Sequence, residues 1–120
     1  MSPRVLVVDD SSTMRKIIVR SLNAVGVTET AEAGDGDEAL SVFDDKSFDL
    51  VLTDWNMPRK SGLELVQALR AQGTSVPIIM VTTEAEKTRV VEAVQAGVSD
   101  YLVKPFTADV LREKIVKFTG

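Results

Sequence analysis

The chain lacks both cysteine and histidine. Without cysteine there is no disulfide, no thiolate metal ligand and no thiol nucleophile, a composition that fits the reducing cytosol. Without histidine as well, zinc sites and the usual catalytic triads are disfavoured. Any reactive site must therefore be built from carboxylates, hydroxyls, amides, lysines or a hard metal ion.

Basic residues and long apolar runs are also scarce. The 120 residues include 14 Lys and Arg against 18 Asp and Glu, a formal net charge of -4. This balance disfavours nucleic-acid binding, which draws on clustered cations. The longest apolar runs, such as Ile78–Val81, are far below the roughly 20 residues of a membrane span, and Met1–Arg4 has no signal-peptide pattern. We expect a cytoplasmic protein that neither enters a membrane nor binds nucleic acid.

Short apolar runs alternate with longer segments of helical periodicity. The runs are Val5–Val8, Leu50–Leu52, Ile78–Val81 and Tyr101–Val103. Continuous apolar runs of this length predict strands that are buried on both faces of a parallel sheet. The more polar segment Thr28–Ala33 predicts a further strand at the edge of that sheet.

Apolar residues at helical spacing follow each predicted strand. They are Met14, Ile17, Ile18, Leu22 and Val25, with Gly26 as a stop; Ala39, Leu40 and Phe43; Leu63, Val66 and Leu69; Val90, Val91 and Val94, before Gly97; and Leu111, Ile115 and Phe118. Five strands alternating with five helices predict an α/β fold, a doubly wound parallel sheet with helices on both faces. The flavodoxin-like strand order 2-1-3-4-5 is taken from known doubly wound folds.

Polar residues stand at the ends of the predicted strands. They are Asp9 and Asp10 after the first, Asp54 after the third, Thr82 and Thr83 after the fourth, and Lys104 after the fifth. Ligands bind at the carboxyl ends of strands in such sheets. Carboxylates that converge there repel one another by about 3 kcal/mol per pair at ~5 Å and an effective dielectric near 20. A divalent cation with oxygen ligands offsets this repulsion, and the small cluster suits Mg²⁺ better than Ca²⁺.

A carboxylate at such a site can also attack phosphorus and form an acyl phosphate. An ammonium and a hydroxyl group, here Lys104 and Thr82, suit the neutralisation of charge on the phosphoryl oxygens.

Taken singly, each of these residues has a simpler explanation. Asp9, Asp10 or Ser11 would serve as a cap for the first helix, and Thr82 or Thr83 for a later one. Asp54 fits a turn that ends at Pro58, and Lys104 fits a solvated surface charge. Tyr101 and Trp55 fit packing roles. The occurrence of all the polar groups together at strand ends favours a functional site.

Over nearly all of its length the chain resembles the receiver domains of bacterial response regulators, and among them the single-domain chemotaxis regulators. The matching stretches are Val7–Arg15, Asp54–Pro58, Ser61–Leu65, Met80–Thr82, Gln95–Gly97 and Tyr101–Thr107. An acidic pair, an acceptor aspartate, a hydroxyl residue and a Lys-Pro pair occur in order, each after the expected strand. The resemblance implies one receiver domain over residues 1–120 without an effector domain, acting as a signalling switch and not as an enzyme.

The resemblance also implies roles for single residues. Asp54 would be the phosphoacceptor, and Mg²⁺ would be held by Asp10, Asp54 and the backbone carbonyl of Asn56, with Asp9 acting largely through water. Lys104 would pair with the phosphoryl oxygens, in a chain whose Lys104–Pro105 peptide is cis. Thr82 would move to the phosphate and Tyr101 would then turn inward.

Partners follow from the same resemblance. The donor would be a CheA-like histidine kinase. The output partner would be the flagellar motor switch, because Lys87, Tyr101 and Lys114 match positions of a motor-binding surface in the family. This surface is formed by the fourth helix, the fifth strand and the fifth helix, and we expect a monomer. Two departures from the chemotaxis regulators, Thr83 and the acidic run Glu84–Glu86, concern the partner more than the chemistry.

Several alternatives stay open at this point. The chain would also fit a receiver cut from a larger regulator, or one that serves as a phosphate sink. An FMN-binding module shares the strand order, but Asp9 and Asp10 would repel the phosphate. A phosphatase of the haloacid-dehalogenase type also forms an aspartyl phosphate, but its acidic motif follows the first strand, whereas Asp54 follows the third.

Overall fold

The computed structural model describes residues 3–83 and 89–119, in which strands and helices alternate. The strands are β1 (Arg4–Val8), β2 (Glu29–Ala33), β3 (Leu50–Asp54), β4 (Ile78–Thr83) and β5 (Asp100–Lys104). The helices are α1 (Ser12–Ala24), α2 (Gly36–Val42), α3 (Gly62–Ala71), α4 (Val90–Ala96) and α5 (Ala108–Thr119). The prediction of five strands alternating with five helices is confirmed for this part of the chain.

All strand pairs are parallel, and the order across the sheet is β2-β1-β3-β4-β5. The predicted order 2-1-3-4-5 is therefore confirmed. Glu29–Ala33 forms the edge strand, as its polar residues predict. The register pairs Val8 with Thr53 and Thr83 with Lys104, so the carboxyl ends of the strands meet along one edge of the sheet.

The sheet has a separate apolar core on each face, because successive strand residues point to opposite sides. Leu6 and Val8 join one core, together with Leu65 and Leu69 of α3. Val5 and Val7 join the other, together with residues of α1 and α5. Full burial of each large aliphatic side chain contributes about 1.5–3 kcal/mol. Helices on both faces make the sheet doubly wound, as predicted.

The predicted apolar faces of two helices are partly wrong. On α1, Ile18 and Leu22 are buried, but Ile17 is 45% exposed. On α4, Val91 and Val94 are 68% and 56% exposed, and Ala93 is the residue that enters the core. Periodicity gives the spacing of a helical face, but the rotation of a short helix is set by its packing on neighbouring elements. The fourth helix therefore leaves two valines at the surface.

Candidate functional site

Three carboxylates meet at the carboxyl edge of the sheet. Asp54 is the last residue of β3, and Asp9 follows β1, the strand next to β3. One oxygen each of Asp9, Asp10 and Asp54 lies within 4.8 Å of the others. Asp9 is buried, Asp54 is partly buried and Asp10 is exposed. The structure thus brings together the three aspartates that the sequence placed at strand ends.

The carboxylate of Asp9 is only half satisfied by hydrogen bonds. Its Oδ1 accepts a 2.9 Å bond from the Ser11 backbone N–H. Its Oδ2 is buried and has no hydrogen-bond partner among the described residues. The Lys104 ammonium is 3.9 Å from this oxygen. Burial raises the pKa of Asp9 above its usual value, against the lowering effects of the Ser11 N–H and Lys104.

The Asp54 carboxylate has two donors on the same oxygen. Its Oδ1 accepts a 2.8 Å bond from the Trp55 N–H and lies 3.5 Å from Lys104 Nζ. Burial, followed by the charge of Asp9, raises the pKa of Asp54, while Lys104 and the Trp55 N–H act to lower it. The side chain keeps 12% of its surface exposed. A reagent in solution can therefore reach it.

Lys104 supplies a cation to this cluster. It ends β5, two strands away from β3, and its side chain is only 18% exposed. The distances of 3.5 Å to Asp54 and 3.9 Å to Asp9 place its ammonium between two carboxylates. The interpretation of Lys104 as a solvated surface charge is therefore wrong.

The residues present fit a hard divalent cation. Three carboxylates face one ammonium, which leaves an excess of negative charge. A buried carboxylate oxygen without a hydrogen bond is costly unless a cation compensates it, and Asp9 Oδ2 is such an atom. Oxygen ligands in this number suit Mg²⁺, which keeps several waters. Asn56 lies exposed in the loop after Asp54, and its carbonyl as a ligand stays a prediction.

Thr82 and Tyr101 lie on neighbouring strands. Thr82 is fully buried in β4, and its hydroxyl donates a 3.3 Å bond to the Thr83 carbonyl. Tyr101 is partly buried on β5, with the Lys114 ammonium 5.8 Å from its ring centroid. The switch roles of both residues stay predictions.

The start of α1 decides which of the residues after β1 caps that helix. Ser11 caps α1, its hydroxyl accepting from the Met14 N–H, and the two aspartates before it are left for the acidic cluster. Thr82 and Thr83 belong to β4, and the residue before α4, Arg89, has no capping side-chain bond. The predicted cis peptide between Lys104 and Pro105 is present. Lys87 and the run Glu84–Glu86 lie outside the described residues.

The loop after Asp54 contains contacts that the sequence analysis missed. The Gly62 N–H donates a 2.8 Å bond to the Trp55 carbonyl. A Cβ at Gly62 would lie 2.1 Å from the Asp54 carbonyl oxygen, so only glycine fits there. The sequence signal from which this contact could have been predicted is the glycine within the matched stretch Ser61–Leu65. The packing of Arg89 on Trp55, with 4.4 Å from guanidinium carbon to ring centroid, had no sequence signal.

Known proteins of similar sequence are receiver domains, among them chemotaxis proteins. The sequence profile of the response regulator receiver domain matches residues 5–116. The chemotaxis protein CheY of Pseudomonas aeruginosa is 51% identical over 116 residues, covering 95% of this chain and 94% of that protein. Chemotaxis protein CheY1 of Helicobacter pylori is 50% identical over 120 residues, covering 98% and 97%.

Solved structures agree with the fold. The chemotaxis response regulator CheY4 of Vibrio cholerae superposes with a TM-score of 0.87 at 35% identity, covering 98% of this chain and 99% of that one. A receiver domain protein of Clostridium thermocellum gives a TM-score of 0.88 at 30% identity, covering 96% and 92%. Within the described residues, no helix combines the length and apolarity that crossing a bilayer requires.

Proposed function

The chain belongs to the response regulator receiver domain family, and on this basis we propose that Asp54 accepts a phosphoryl group from a histidine kinase in the presence of Mg²⁺. The protein is a receiver of two-component signalling, a switch and not a conventional enzyme. The observation that carries the proposal is the cluster of three carboxylates within 4.8 Å, with the Lys104 ammonium 3.5 Å from Asp54.

Four groups would hold the metal: the carboxylates of Asp9, Asp10 and Asp54 and the backbone carbonyl of Asn56. Asp9 would act largely through water, as in the family, and this water would give its buried Oδ2 a hydrogen-bond partner. The bound Mg²⁺ supplies positive charge that neutralises the oxygens of the transferred group. Apart from that charge, the site depends on groups that the chain itself provides.

The transfer is a substitution at phosphorus. A carboxylate oxygen of Asp54 forms a bond to phosphorus as the bond between phosphorus and the donor histidine nitrogen breaks, and that electron pair leaves with the imidazole. Asp54 must be ionised for this attack, and Lys104 supports the ionised form. The ammonium, already 3.5 Å from Asp54 Oδ1, then pairs with a phosphoryl oxygen.

Thr82 and Tyr101 would report the phosphorylated state. The Thr82 hydroxyl has a long bond of 3.3 Å to its present acceptor, and exchanging that acceptor for a phosphoryl oxygen costs little. Tyr101 would turn inward once Thr82 has moved. The two states would differ on the surface formed by α4, β5 and α5, and phosphorylation would shift the population toward the one that a partner binds.

The biological pathway is proposed from the relatives. Two chemotaxis proteins share about half of their residues with this chain over nearly their whole length. We therefore propose a CheA-like histidine kinase as donor and the flagellar motor switch as output partner, with the protein acting as a cytoplasmic monomer. Membership of the receiver family gives no support to the FMN-binding and phosphatase alternatives. The phosphate-sink and excised-receiver alternatives concern the pathway and leave the acceptor chemistry unchanged.

The test is intact-protein mass spectrometry after incubation with Mg²⁺ and acetyl phosphate. We expect the mass of one added phosphoryl group on the wild-type chain and none on Asp54→Asn. Asp109→Asn is the matched control, because Asp109 is exposed on α5 away from the cluster. Binding of Mg²⁺ without any added phosphoryl group would reject the acceptor role.

A further inference from the structure

The loop between β3 and α3, residues 55–61, contains an unusual backbone conformation. Arg59 has φ +65°, and it is the one residue other than glycine with a positive φ among residues 3–83 and 89–119. A side chain with a Cβ adopts this conformation at a steric cost, and such conformations persist when surrounding contacts hold them. Contacts with neighbouring residues are therefore needed to hold Arg59 in this conformation.

An ion pair with a buried carboxylate holds this residue. Arg59 Nε donates a 2.9 Å hydrogen bond to Asp35 Oδ2. The Asp35 side chain is 8% exposed, whereas that of Arg59 is 71% exposed. The other Asp35 oxygen accepts from the Glu38 N–H at 2.8 Å and caps α2. Asp35 is thus fixed at the start of α2, and the ion pair connects the loop residue Arg59 to it.

The same two segments touch through their backbones. The Gly36 N–H donates a 3.1 Å bond to the Lys60 carbonyl, and a Cβ at Gly36 would lie 2.8 Å from that carbonyl oxygen. At the other end of the loop, Gly62 bonds the Trp55 carbonyl. Hydrogen bonds therefore hold both ends of the loop, at Trp55 and at Lys60, and Asn56 lies between these two residues.

We propose that Asp35 and Arg59 are positioning residues that fix the loop of residues 55–61, so that the Asn56 backbone carbonyl is directed to the metal beside Asp54. The inference rests on the proposed function, because the assignment of Asn56 as a metal ligand is part of that proposal. It makes the affinity for Mg²⁺ depend on a pair of side chains that do not touch the metal. Groups that orient metal ligands typically change affinity by about 10–100-fold when removed.

Charge alone would give a different result from positioning. Removing the positive charge of Arg59 strengthens cation binding by simple electrostatics, and removing the negative charge of Asp35 weakens it. Loss of positioning weakens binding in both cases. The sign of the effect in an Arg59 variant therefore separates the two explanations.

The experiment measures Mg²⁺ binding to the unphosphorylated protein by titration of Trp55 emission. The variants are Arg59→Gln, Asp35→Asn, which keeps an oxygen to cap α2, and the double variant. We expect each single variant to bind Mg²⁺ roughly tenfold more weakly, and the double variant to be no weaker than either single one, because the pair acts as a unit. Lys60→Gln is the control: it removes a neighbouring positive charge that lies 3.9 Å from Asp37, a carboxylate that is 58% exposed.

Hydrogen exchange of the metal-free protein gives a second readout. The backbone N–H groups of residues 55–61, all but Pro58, should exchange faster in Arg59→Gln and Arg59→Gly than in the wild type, with exchange in the sheet unchanged. Arg59→Gly is included because glycine accepts a positive φ without strain, so an effect in this variant does not come from a strained backbone. Unchanged or tighter Mg²⁺ binding in Arg59→Gln, or additive effects in the double variant, would overturn the inference.

The failure of this inference is distinct from failure of the proposed function. If the wild-type chain gains a phosphoryl group while the variants bind Mg²⁺ as tightly as it does, only the positioning role is lost. If the wild-type chain binds Mg²⁺ but is not phosphorylated, the acceptor role is lost instead, and the Mg²⁺ affinities of the variants still decide the positioning role.

Discussion

The guanidinium of Arg89 packs over the ring of Trp55, with 4.4 Å between its central carbon and the ring centroid. Trp55 follows the proposed phosphoacceptor and is 1% exposed, while Arg89 directly precedes α4. The contact therefore connects the loop of the acidic cluster with the helix that carries the exposed residues Val91 and Val94. It also means that the emission of the only tryptophan depends on a residue of another element.

Arg89→Ala should expose Trp55 and shift its emission to longer wavelength. The loss of an exposed cation–π contact should lower the free energy of unfolding by about 0.5–1 kcal/mol. Arg112→Ala is the matched control, because both arginines are partly exposed and each has an acidic partner three residues away on a helix. Fluorescence spectra and urea unfolding measure both effects. An Arg89→Ala spectrum identical to that of the wild type would show that the contact does not shield the ring.

Gly62→Ala should damage the fold at the acceptor site. The added Cβ would lie 2.1 Å from the Asp54 carbonyl oxygen and 3.1 Å from Met80 Sδ, so the start of α3 must move away from β3. Overpacking of this kind costs about 1–3 kcal/mol, and Mg²⁺ binding should weaken as well. Gly34→Ala is the control, since its nearest atom, in the Arg15 side chain, would be at an ordinary 3.5 Å. Equal unfolding free energies for the two variants would contradict the steric argument.

Asp54→Asn should stabilise the metal-free protein at neutral pH. The pKa of Asp54 is raised by burial and by the charge of Asp9, so its ionised form disfavours folding. This penalty is complete above the folded pKa and disappears as the pH falls below the unfolded value of about 3.9. The difference in unfolding free energy between variant and wild type should therefore shrink in acid. Mg²⁺ should stabilise the wild type more than the variant, since ligands that bind the folded state raise its stability.

Urea unfolding in EDTA and in Mg²⁺, at neutral and acid pH, measures these differences. A variant that is less stable than the wild type in EDTA at neutral pH would contradict the expected sign.

Asp100→Asn should show the opposite dependence on pH. Burial opposes ionisation of Asp100, but the hydrogen bonds from Lys114 and the Tyr101 N–H, with the charges of Lys114 and Lys117, lower its pKa overall. The Lys114 ammonium lies 2.8 Å from Asp100 Oδ2. A lowered folded pKa gives stability that is present above the unfolded pKa of about 3.9 and is lost as the pH falls through the folded pKa.

The variant should accordingly be less stable at pH 7, by about 1.5–3 kcal/mol for hydrogen bonds to a charged group, and equal to the wild type in strong acid. Asp49→Asn is a useful comparison, because the exposed Asp49 carboxylate accepts a hydrogen bond from the backbone N–H of Arg4 and not from lysine ammonium groups. Urea unfolding across this pH range measures both variants. A loss of stability in Asp100→Asn that persists in strong acid would point to packing and not to charge.

The sequence alone determined the order and type of the elements, since apolar runs and helical spacing are local patterns. It also identified the polar residues at the strand ends, because a parallel sheet aligns those ends at one edge. Asp9, Asp10, Asp54 and Lys104 are brought together as this reasoning predicted.

Tertiary structure decided what depends on the relative placement of distant segments. The rotation of α4 buries Ala93 and exposes Val91 and Val94. The ion pair of Asp35 and Arg59 joins residues that are 24 positions apart and carries no periodic signal. The contact of Arg89 with Trp55 also joins distant segments and carries no periodic signal. Local sequence fixes where a side chain lies on its own element, but contacts between elements arise only when the whole chain packs.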